Sequence, residues 1–138
     1  MRWGGRAPTG FAKGDDGAGK LGDYRFDLMP NNDRVRIRLA GSDAHQDLLR
    51  ELAAIEPLET AGGARTPEEE RIDAPIVIRV FGGGRIVGPV GTVPRGLEAP
   101  VVEALSRLER AGRKPRIPVE IVQTKQGLRV ELLLGLTR

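Results

Sequence analysis

The chain has 138 residues, 39% of them hydrophobic and only 4% aromatic, with a formal net charge of +3. That length predicts one domain with a modest, largely aliphatic core, and no apolar run is long enough to span a bilayer. The absence of cysteine excludes disulfides, thiolate zinc sites and thiol catalysis. No apolar segment follows Arg2 and Arg6, so no secretory signal is expected; a cytoplasmic location fits, as would a place in a virion.

The charge is unevenly spread. Residues 76–138 carry 11 Lys/Arg against 5 Asp/Glu, whereas residues 56–75 carry 2 against 6. Most of the cations are arginine, whose planar fork suits phosphate and base contacts. The asymmetry points to a polyanionic partner, although an arginine-rich coding bias would give the same surface.

Residues 1–23 are glycine-rich and poor in large apolar groups, which predicts a flexible arm ahead of a single domain over residues 24–138. Within the arm, Gly14-Asp15-Asp16-Gly17-Ala18-Gly19-Lys20 has the spacing of a phosphate loop. Leu21 stands where such a loop needs Ser or Thr for magnesium, no hydrophobic strand precedes it, and Asp15 and Asp16 would repel phosphate. A plain glycine-rich loop is the expectation, with no nucleotide cofactor.

Residues 24–29 are expected as a short strand, ended by Pro30. From Arg34 to Leu39 the alternation is clear: Val35, Ile37 and Leu39 share one face, and Arg34, Arg36 and Arg38 the other. The arginine face is either solvated and balanced by acids or a row of phosphate contacts; the period fits both. Asp43 followed by Gln46 predicts a capping box opening a helix over 43–55, with Leu48, Leu49 and Leu52 buried and Pro57 as the stop. The sole histidine, His45, lies in its first turn, where a structural or ligand-contact role is expected. Residues 56–73 read as an acidic connection. Thr66-Pro67-Glu68-Glu69 predicts one short helical turn there; no metal site is assigned to its carboxylates.

Ile76, Ile78 and Val80 alternate with Val77, Arg79 and Phe81, predicting a strand over 76–81. Gly82, Gly83 and Gly84 permit a tight reversal into a second strand over 86–93, bent at Gly88 and Pro89. Val93, Pro94, Arg95 and Gly96 lead to a helix over 97–111 with Leu97, Val101, Leu105 and Leu108 buried. Arg113, Lys114 and Arg116 follow its end, more cations than the helix dipole calls for. Strands over 117–123 and 128–134, joined by Thr124-Lys125-Gln126-Gly127, complete the chain. The fold class is α+β: an antiparallel, barrel-like sheet with two helices.

The run from Arg34 to Leu49, then Ile78-Arg79-Val80 and Val90-Gly91-Thr92-Val93-Pro94-Arg95, in this order, resembles the bacterial stand-alone type of the HIRAN-domain family. The resemblance covers residues 34–134 and implies a small barrel-like module that binds single-stranded DNA, in the best understood cases at its 3′ end. It implies phosphate contact by Arg95 and contact of Asp73 with the terminal hydroxyl. Where the family has a carboxylate, proline, asparagine, aromatic and aspartate, this chain has Glu70-Arg71-Ile72-Asp73-Ala74-Pro75, and Thr92 replaces an aromatic or histidine. The expected function is non-catalytic single-stranded DNA binding through Arg36, Arg38, Asp73, Arg79, Arg95, Arg113, Lys114 and Arg116. The alternative is a protein-interaction or assembly module that keeps the fold without DNA. Neither needs a cofactor, a metal or a membrane.

Overall fold

Alternating strands and glycine turns generate a curled antiparallel sheet. A computed structural model describes residues 11, 12, 14–25, 29–61 and 66–138. Among these residues six strands form the sheet: β1 (Ile37–Arg38), β2 (Leu58–Ala61), β3 (Val77–Gly82), β4 (Arg85–Thr92), β5 (Pro118–Thr124) and β6 (Gly127–Leu132), in the order β1-β6-β5-β2-β3-β4. Just past β1, Ala40 exchanges two backbone hydrogen bonds of 2.8 Å with Thr92 of β4, so the two edges of the sheet meet and the sheet is barrel-like. Among the described residues three helices accompany it: α1 (Gln46–Leu52), α2 (Pro67–Arg71) and α3 (Glu98–Arg110). Among the described residues no helix is long and apolar enough to cross a membrane.

The turns follow from their residues. Gly83 and Gly84 take φ of 60° and 80° between Gly82 and its partner Arg85, the double positive φ of a two-residue hairpin turn. The expected bend is present: Ile78 pairs with Gly91 and Val80 with Val87, so Arg79 alone faces Gly88, Pro89 and Val90. Thr66 caps α2 reciprocally with Glu69, and Pro67 occupies its first turn. The core lies between the inner faces of the strands, with Ile37, Val80, Ile117, Val130 and Leu132, and the buried stripe of α3.

Several elements differ from expectation. The strand over 34–39 is paired as a ladder only at Ile37–Arg38, because the chain changes neighbours: Leu39 donates to Val130, then Ala40 to Thr92. Its alternation survives, with Val35 half-buried and Ile37 and Leu39 buried. The acidic connection contains β2, which lies between β3 and β5. Only Leu58 and Thr60 face inward, and Thr60 Oγ1 accepts a 3.0 Å bond from the Ile117 amide. The helix over 43–55 is instead a 3-10 turn, Ser42–His45, followed by α1. Its capping box does not form: the Asp43 amide bonds to the Asp15 carboxylate at 3.1 Å, and the Gln46 side chain reaches the Leu128 backbone. Leu21–Tyr24 form a 3-10 turn and residues 26–28 lie outside the described ones, so no strand is found at 24–25. The last strand ends at Leu132, and Leu134–Thr137 turn as a 3-10 segment. Residues 1–10 of the expected arm also lie outside the described residues, but Gly14–Lys20 does not hang free. Ala18 bridges Arg38 with bonds of 2.9 and 3.1 Å.

Candidate nucleic-acid interface

Arg95 sits where β4 has ended and α3 is about to begin. Its Nη2 donates to the Asp73 carboxylate at 2.6 Å and to the Asp73 carbonyl at 2.7 Å, while Nη1 lies 3.2 Å from Glu98. The structure thus brings Asp73 and Arg95 together. Asp73 has φ of 53°, a left-handed conformation that a short polar side chain tolerates. Glu98 also accepts the Gly96 amide at 2.7 Å, which fixes the turn leading into α3. The Arg95 fork is therefore oriented by two carboxylates, one from each side.

Beside Arg95 opens a cleft of about 820 Å³, lined by Phe11, Gly17, Ala18, Pro94 and Leu97 among others. Phe11 is 41% exposed and offers an aromatic surface. Gly17 must be glycine here: a Cβ would lie 2.4 Å from Pro94 Cγ and 2.8 Å from the Arg38 carbonyl, at φ +81°.

One wall is the glycine-rich segment with the phosphate-loop spacing. Asp15, 3% exposed, turns inward and accepts the Ser42 amide at 2.8 Å and the Asp43 amide at 3.1 Å. Its carbonyl accepts the Gly41 amide at 2.9 Å. Behind it lies Arg129, 0% exposed, which donates to the carbonyls of Gly14 and Leu128 at 2.9 Å and meets Asp43 at 2.9 Å. The carboxylate expected to repel phosphate instead fastens the segment to the barrel as a strap.

The remaining predicted residues fall in three other places. Arg36, just before β1, and Arg38 within it reach Glu131, at 2.9 and 2.8 Å. Arg36 also binds Glu120. Burial works against the Arg36 charge, but its bonds to Glu120 and Glu131 outweigh it and hold the guanidinium above its ordinary pKa. Arg79 and Arg116 lie on the outer face of β3: Arg79 is exposed, and Arg116 stacks 4.2 Å from the Phe81 ring centre and lies 3.7 Å from Glu59. Arg113 and Lys114 are exposed just past α3, about 20 Å along that 13-residue helix from Arg95. Sequence reasoning missed Phe11, Asp15, Glu98 and Glu131; Asp15 and Glu131 are far in sequence from their partners, whereas Glu98 lies only three residues from Arg95. His45 is half-buried at the end of the 3-10 turn before α1. Comparison with protein families, curated proteins and solved structures returns no match for the chain.

Proposed function

We propose that the chain is a non-catalytic, HIRAN-like module of the bacterial cytoplasm that binds single-stranded DNA, with a nucleotide seated in the cleft beside Arg95. One observation carries the reading. An arginine fork is held in place at the mouth of a cleft of about 820 Å³ that also presents an aromatic side chain. That volume lies within the roughly 300–1,000 Å³ usual for small-ligand sites. Base stacking on Phe11 and phosphate contact with Arg95 would use the two chemistries that single-strand binders combine.

A phosphate must displace Asp73 from Arg95. The Asp73 side chain is 75% exposed, and exposed ion pairs contribute only about 0–1 kcal/mol, so the exchange is inexpensive. Titration of short fluorescent oligonucleotides at low salt tests the reading. Arg95→Ala should weaken binding by roughly 1–2 kcal/mol. The slope of log affinity against log salt should fall by about 0.7, the value for one lost single-strand contact. Folding should be retained, because the residue is on the surface. Absence of wild-type binding at tens of micromolar protein would remove the DNA reading.

The protein-interaction reading is favoured by a different observation. Arg36 and Arg38, which would continue a phosphate track, are neutralised by Glu131 and Glu120. Failure of the titration would make this the leading function.

A further inference from the structure

We propose that the outer face of β3 is a second subsite, a stacking platform that carries the strand onward from the cleft toward the end of α3. The inference rests on the single-stranded DNA reading and adds a place for the nucleotides next to the seated one. Along β3 the inward side chains Ile78 and Val80 are buried, and Val77, Arg79 and Phe81 point outward. Outward positions recur about every 7 Å, a step close to that between successive phosphates of a stretched strand.

The platform begins at the cleft: Val77, 45% exposed, pairs with Thr92, which lines the cleft with Pro75. Arg79 comes next and is exposed. Across β2 it faces Ala61, and across β4 it faces the bulge, where a Cβ on Gly88 would lie 3.1 Å from Arg79 Cα. The Gly88 bend that interrupts the ladder therefore clears space around the arginine. Phe81 follows, with Arg116 stacked on its ring at 4.2 Å and Ile86, 58% exposed, opposite. Beyond Arg116 the chain supplies Arg113 and Lys114.

The chemistry of this face selects the occupant. Among the described residues no carboxylate pairs with Arg79, Arg113 or Lys114; Glu59, opposite Phe81 on β2, lies 3.7 Å from Arg116. The Phe81 ring with the Arg116 guanidinium stacked on it, and exposed aliphatic side chains beside them, suit stacking of bases, with Arg79 placed for a phosphate on the flank. An extended DNA strand leaving the cleft along β3 meets both in sequence. Arg79, Phe81, Ile86 and Arg116, which the chain scatters from position 79 to position 116, thus form one surface, separate from Arg95.

Oligothymidylates of two and eight nucleotides separate the two subsites. The dinucleotide fills the cleft alone, while the octamer also covers β3. Wild-type protein should bind the octamer more tightly than the dinucleotide. Phe81→Leu, which keeps an apolar side chain but removes the ring, should weaken octamer binding about tenfold and leave dinucleotide binding unchanged. Arg79→Ala should do the same about fivefold to tenfold, with a smaller salt slope, whereas Arg95→Ala should weaken both. Octamer binding within about twofold of wild type in both β3 variants, or equal wild-type affinity for the two lengths, would overturn the platform and leave the cleft standing. No wild-type binding of either length would overturn both.

Discussion

Tyr24 shows how one side chain reports on its surroundings. It is buried beside the strap, and its hydroxyl donates to the Arg36 carbonyl at 2.6 Å. Burial, aided by the charge of Asp23, pushes its pKa from the ordinary 10.0 up to about 12. The chain has a single tyrosine, so ultraviolet absorbance of the phenolate follows this group alone. The titration midpoint should lie near pH 12 in folded protein and near 10 in urea. Because the folded value is the higher one, the stability linked to the neutral phenol is complete below pH 10 and is lost as pH rises toward 12. Each unit of separation corresponds to about 1.4 kcal/mol. A folded-state midpoint near 10 would show that the ring is not buried as described. The other residue-scale lesson is Arg129. By alternation between Leu128 and Val130 it belongs to the outer, polar face of β6, yet it is sealed under the strap because Gly14 and Asp43 supply acceptors for it.

Among the elements, the β3–β4 hairpin was the most legible. Two-residue alternation, three glycines and a Gly-Pro pair are local signals, and each acts within a few residues of itself. Gly88 is the point where the bend becomes a packing requirement, with φ of 131° and Arg79 Cα next to the space a side chain would need. Gly88→Ala should cost roughly 1–3 kcal/mol through the unfavourable backbone conformation, read as a lowered urea midpoint with an unchanged slope. An unchanged midpoint would mean that the bend accepts a side chain and that Arg79 does not depend on it. β2 was the least legible element. Leu58-Glu59-Thr60-Ala61 has one large apolar residue, and its inward Thr60 reads as polar loop. What makes it a strand is partners on both sides: Val80 and Arg79 of β3, Val119 and Pro118 of β5.

Over the whole molecule, the strap, the barrel and the cleft depend on one another. Arg38 binds Ala18 of the strap through its backbone and Glu131 of β6 through its side chain. Asp15 ties the strap to the turn before α1, so its removal should free the cleft wall without unfolding the sheet. In Asp15→Ala, amide hydrogen exchange at Ala18, which donates to Arg38 at 3.1 Å, should accelerate by about tenfold or more. Amides of the β5–β6 ladder should keep their protection. Equal exchange at Ala18 in both proteins would show that Arg129 and the Ala18 bridge hold the strap without Asp15.

The amino-acid order by itself determined the hairpins, the stripe of α3, the capped turn at Thr66 and which side chains of β3 face the core. Those features depend on period and on turn residues a few positions away, and the antiparallel, barrel-like α+β class follows from them. Tertiary structure alone decided which arginines keep a free charge. Arg36 meets Glu131, 95 residues distant, and Arg95 meets Asp73, 22 residues distant, whereas Arg79 meets no acid among the described residues. A guanidinium looks the same in every window of sequence; whether a carboxylate stands beside it is set by the strand order, which brings distant segments side by side. Strand order likewise placed β2 inside the sheet and turned a glycine-rich arm into the wall of a cleft. Each exchanges backbone bonds with water for bonds to a strand that local sequence does not name.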